Sequence, residues 1–215
     1  MNASASSPLS GTGWFALLAL VLGNLYPIAG VYLFGWNAFE ILILFWAENL
    51  VIGVFVMLKL ATRATAGGEG GSAVLIPFFA LHYGGFCLGH GLMLLSWFAP
   101  PELKPPRYAM EFVDFVWPLF VAVERIPGLK LSLAVLAVGQ AVMFVMRFLL
   151  PREYLRQTGK ALMIAPYPRI LMLHAAMLFG AAIARKFGEP AIAVVVLILI
   201  KTAGEVALFF RRPRG

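Results

Sequence analysis

The chain has 215 residues, of which 61% are hydrophobic and 13% charged, and its mean hydropathy is +0.89. A soluble domain of this size needs far more charge to cover its surface, so the expectation is one all-α integral membrane domain over 1–215, with no soluble catalytic domain. The net charge of +7 does not imply nucleic acid, because the basic residues stand at the ends of apolar runs, where they anchor spans and set topology.

In chain order, six runs approach the roughly 20 residues needed to cross the hydrocarbon of a bilayer. The first, about 14–34, contains Asn24 and Tyr26-Pro27. No basic residue precedes it, so it reads as a retained span rather than a secretory signal. The second, about 38–60, begins after "GWN", where Asn37 and Glu40 have the spacing of a capping box. A glycine-rich loop, "TRATAGGEGGS", leads to the third, about 74–98, with Pro77 expected in its first turn, where proline is tolerated. The stretch "APPELKPPRY" holds too much proline for a helix.

The next apolar run, about 112–123, is too short to span and carries Asp114 and Pro118. Phe112, Phe115, Val116, Leu119, Phe120 and Val123 follow helical spacing, which predicts an amphipathic helix lying at the interface. The last three spans are expected at about 129–150, 169–184 and 191–210, with Pro168 and Pro190 marking two helix starts. On this count one side holds Lys59, Arg63, Arg147, Arg152, Arg156, Lys160, Arg169, Arg211, Arg212 and Arg214. The other holds only Lys104, Arg107, Arg125, Lys130, Arg185 and Lys186. The excess of Lys and Arg belongs inside, which predicts cytoplasmic termini.

A polar side chain in hydrocarbon is costly and is by default a site candidate. Lys201 and Glu205 are four apart and can pair along one helix face, although Lys201 can also reach another helix. Asn24 and Gln140 read as interhelical hydrogen-bonding groups, and Gly85 and Gly89 as a small-residue pair that permits close helix approach, including approach of a second copy. The remaining set is Glu48, Asn49, His82, His90 and His174. Counted from the shared ends of spans two and three, Glu48 falls between His82 and His90 in height, and His174 falls level with His82. His82 and His90 differ by about 12 Å of rise and 80° of rotation, so one ion cannot bind both directly.

A single-ion site would therefore use Glu48, His82 and His174 from three helices, with Asn49 and His90 as supporting or relay groups. Such a set suits zinc, iron or manganese. Haem held between His82 and His174 is a further possibility. Glu48 is expected to face His82 or His90 rather than lipid.

The runs "FWAENLVIG" and "PFFALHYGGFCLGHG" resemble a family of uncharacterised bacterial polytopic integral membrane proteins. The resemblance covers most of the chain and implies a multi-pass protein of the bacterial inner membrane. It implies no catalytic activity. Three functional readings follow: a membrane-embedded metal site, catalytic or transporting; a proton- or ion-coupled transporter; and a non-catalytic membrane partner whose polar groups satisfy one another.

Overall fold

The computed structural model describes residues 26–28, 30–104, 117–172, 174–175, 179, 198–204 and 206. Asn24, residues 112–116 of the predicted interfacial helix (Asp114 among them) and Glu205, much of predicted spans one, five and six, and both termini lie outside the described residues. Among the described residues every regular element is helical.

Helix α1 spans Ala38–Thr65 and starts on the capping box that the sequence predicts. Asn37 Oδ1 accepts from the Phe39 amide at 2.8 Å, and Glu40 Oε2 accepts from the Asn37 amide at 2.9 Å. Seven consecutive residues, Ile41 to Ala47, are buried. Helices buried all round occupy the centre of an assembly, so α1 is the axis against which the others pack. Helix α2, Ser72–Phe98, returns beside it after the turn at 66–71. Its buried stripe is Phe79, Tyr83, Cys87, His90 and Leu94, at the three- and four-residue steps of one helix face. The opposite face exposes Phe78, Leu81 and Phe86. Helix α3, Leu129–Phe144, follows Gly128, whose φ of 78° is a left-handed conformation suited to glycine. It continues in π geometry over Val145–Leu149.

By length and composition α1, α2 and Leu129–Leu149 are apolar enough to cross a membrane. The described residues thus give three candidate spans where the sequence predicts six, and they are compatible with a membrane protein. Two apolar clusters fill the interior. One joins Trp36 and Ile41–Ala47 to Leu94, Val121, Ala122, Ile126 and Leu129. The other joins Ile52, Val56 and Leu60 to Phe79, Tyr83, Cys87, Phe148 and Leu162. Glu48 and Asn49 fall between them.

Four details differ from the sequence expectations. Helix α2 begins at Ser72, so Pro77 stands inside the helix rather than in its first turn, and without an N–H it cannot bond the carbonyl of Ala73. In the short run near 120, Pro118, Val121 and Ala122 turn inward while Leu119 and Phe120 are exposed, because small residues allow the closer approach to α1. Gly85 and Gly89 have nothing near the positions a Cβ would take, and both are exposed.

The fourth difference is the connection after Leu149. A short helix α4, Gly159–Ile164, climbs beside α2 instead of staying outside the bundle. Gly159 lies so close to Ser72 that a Cβ would collide with its hydroxyl, Leu162 is buried in the second cluster, and Tyr167 reaches His82. The helical residues from 167 onward therefore start about ten residues deeper along α2 than a surface loop would place them.

This connection is stapled to the α1–α2 turn. Glu69 Oε2 accepts from Arg63 Nε at 2.7 Å and from the Gly159 amide at 3.0 Å, while Arg63 Nη1 donates to the Tyr154 carbonyl at 3.0 Å. The Gly159 amide and the Arg63 guanidinium hold the Glu69 carboxyl below its ordinary value of 4.5. A depressed folded value means that this contribution is complete above the unfolded value and is lost as pH falls through the folded one. We therefore expect the protection of amides across 150–166, measured against their intrinsic exchange at each pH, to fall on acidification below about pH 4.5. The Glu69→Gln chain should exchange fast at neutral pH already, without that acid step. Equal, pH-independent protection in both chains would remove the staple.

Candidate functional site

The polar layer is built on α1, where the apolar sequence is interrupted by Glu48 and Asn49. Asn49 is satisfied by its own helix, its Nδ2 donating to the Phe45 carbonyl at 2.8 Å. From α2 the Tyr83 hydroxyl donates to the Asn49 backbone carbonyl at 3.1 Å. Tyr83 can lie this close because residue 53 is glycine: a Cβ there would sit 2.8 Å from the phenol ring.

Glu48 is buried and joins three parts of the chain. Its Oε1 meets Arg169 Nη1 at 3.3 Å, and its Oε2 meets Lys201 Nζ at 2.9 Å. The Lys201 ammonium also stands 4.6 Å from the centre of the Phe45 ring, in cation–π range. Glu48 thus takes cations rather than the imidazoles expected from the sequence. In a low-dielectric interior a carboxylate gains far more from a formal charge than from a neutral ring. Lys201 pairs with Glu48 on another helix; Glu205, its expected partner on the same helix, lies outside the described residues.

The histidines form two separate contacts with the chain after α4. His82 Nδ1 lies 2.8 Å from the Tyr167 hydroxyl, and its ring stacks on Phe78 at 5.4 Å. Eight residues further along α2, His90 Nε2 lies 2.6 Å from His174 Nδ1. The spacing from Tyr167 to His174 is seven residues, so two helices running the same way bring both pairs together at about 10–12 Å of separation. His174 is consequently level with His90 and not with His82, which follows from the deeper start of its helix.

The hydrogen bonds assign the tautomers of the His90–His174 pair. His90 Nδ1 faces the Phe86 carbonyl at 2.6 Å, and a carbonyl only accepts, so Nδ1 carries the proton and Nε2 of a neutral ring accepts. His174 must then donate from Nδ1, which puts the acceptor lone pair of its ring on Nε2.

Glu48, His82 and His174 are each engaged elsewhere, and no three His, Cys, Asp or Glu side chains among the described residues are grouped to hold a metal ion. Sequence reasoning did not single out Tyr167 or Arg169 as site residues. Arg169 read as a surface anchor because its helix was expected to begin at the interface. The signal that pointed deeper was the apolar "ALMIA" after Lys160, followed by Pro166 and Pro168.

Comparison with curated proteins and with solved structures returns no match. The match to a protein family spans residues 6–215 and therefore takes in both the Glu48 layer and the histidine pair. On that match the chain belongs to DUF6498, a family of unknown function.

Proposed function

We propose that this is a proton-coupled integral membrane protein whose working part is the polar layer of Glu48, Arg169, Lys201, His90 and His174, with coupled transport as its activity. The observation that carries the reading is the imidazole pair, His90 Nε2 lying 2.6 Å from His174 Nδ1 while His90 Nδ1 is anchored on the Phe86 carbonyl. His90 lies eight residues before Phe98, about 12 Å below that end of α2. An ionisable group at such depth is characteristic of proton relays and pumps. Glu48 supplies the mechanical side: it ties α1 to the helical segments carrying Arg169 and Lys201. A positive charge gained at His174 changes the field in which those ion pairs stand.

A second reading, the non-catalytic partner protein, is favoured by one fact. Ser72 Oγ is the only buried side-chain polar atom among the described residues without a hydrogen-bond partner, so the layer is well satisfied as a static clamp. A pH-jump measurement on proteoliposomes adsorbed to a solid-supported membrane separates the two readings. The expected result is a transient charge displacement in the native chain that His174→Gln removes and His82→Gln retains. No displacement in the native chain, or the same displacement in His174→Gln, would leave the clamp as the role.

A further inference from the structure

We propose that the connection from Arg147 to Ala165 is a binding site for the headgroups of anionic phospholipids. Four cations, Arg147, Arg152, Arg156 and Lys160, are exposed along it at steps of four or five residues. The one acid in the segment, Glu153, lies 3.8 Å from Arg156 and accepts from Gln157 at 3.1 Å. The nearby Glu69 carboxylate is occupied by Arg63 and Gly159. Four cations against one acid leave the surface at +3.

Exposed apolar side chains are interleaved with these charges: Leu150, Leu155 and Ile164 are 66%, 53% and 46% exposed. Neither feature is an accident of a loose loop. The backbone is held by the Arg63–Tyr154 and Glu69–Gly159 hydrogen bonds, by burial of Phe148 and Leu162, and by Arg152, which at φ 55° is the only described non-glycine residue in the left-handed region. Such a strained conformation persists only where its surroundings impose it.

The location selects the partner. The segment sits where α1 ends, α2 begins and the Leu129–Leu149 stretch ends, all at the same end of the bundle. At that level apolar side chains meet the start of the acyl chains while Lys and Arg meet phosphate, the division that juxtamembrane basic segments use. A nucleic acid would match the charge and leave Leu150, Leu155 and Ile164 in water.

The test is native mass spectrometry of the full chain in a non-ionic detergent, titrated with dioleoylphosphatidylglycerol or dioleoylphosphatidylcholine. Each cation near a membrane surface is worth about fivefold in affinity, so Arg152→Gln with Arg156→Gln should weaken retention of the anionic lipid about 25-fold. Retention of the zwitterionic lipid should not change, and Lys104→Gln should alter neither. All of these side chains are exposed, and an unchanged thermal midpoint verifies that the variants fold. Equal retention of the two lipids by the native chain, or an undiminished preference in the double variant, would overturn the proposal. So would displacement of the anionic lipid by excess inorganic phosphate, which would reassign the site to a free anion.

Discussion

Replacing Glu48 by Gln lowers stability by about 3–5 kcal/mol, the cost of removing one partner from a buried ion pair. The carboxylate faces Arg169 at 3.3 Å and Lys201 at 2.9 Å, and its side chain is only 12% exposed. Gln keeps the shape and can still accept a hydrogen bond, but it offers no charge to two cations inside the bundle. Glu48→Asp keeps the charge on a shorter arm, so it should recover part of the loss. Unfolding of the purified chain in mixed micelles of mild detergent and dodecyl sulfate measures all three. A loss below about 1 kcal/mol for Glu48→Gln, the level of an exposed pair, would mean that the layer is hydrated and the ion pairs are incidental.

The second large effect is expected at Trp46, three residues before Asn49 on α1. Its indole is 1% exposed and its Nε1 donates to the Cys87 carbonyl at 2.6 Å. The ring packs close against the backbone of α2: a Cβ on Gly91 would be 2.7 Å from Trp46 Cζ2 and 2.9 Å from Pro118 Cβ. Trp46→Ala leaves a ring-sized void among α1, α2 and the Pro118 turn, for an expected loss of about 3–5 kcal/mol. Trp46→Phe fills most of that space and loses only the donor, for about 1 kcal/mol. The same micelle titration resolves the two. The single cysteine provides an independent readout, because Cys87 is buried beside the ring and should react with a membrane-permeant maleimide faster in the Ala variant than in the native chain. Equal losses for Ala and Phe would show that the ring is not packed as described.

Class and element positions were legible in the sequence because they depend on local chemistry. Long apolar runs satisfy their backbone only as helices in hydrocarbon, so the α1, α2 and α3 ranges were readable within a few residues. The Asn37–Glu40 cap was readable too, since both of its hydrogen bonds close within four residues. Glu48, Asn49, His82, His90, His174 and Lys201 stood out for the same reason: each is a polar group in an apolar run, and its cost is visible without knowing its partner.

The pairing of those groups was decided by tertiary structure alone. Which side chains meet depends on the heights of helices relative to one another, and those heights were counted on the assumption that every connection stays at the surface. The segment 159–167 breaks that assumption by climbing beside α2. Its apolar Leu162 gains burial against Phe79 and Tyr83, and Glu69 bonds its Gly159 amide at the end of the climb nearest the turn. That one departure raises His174 from His82 to His90, gives Tyr167 to His82, and carries Arg169 from the interface to Glu48. Hydropathy records how much of a segment is apolar; the depth at which a helix begins is set by what its preceding residues can pack against, and that information lies in α2, 85 residues away at the His82–Tyr167 contact.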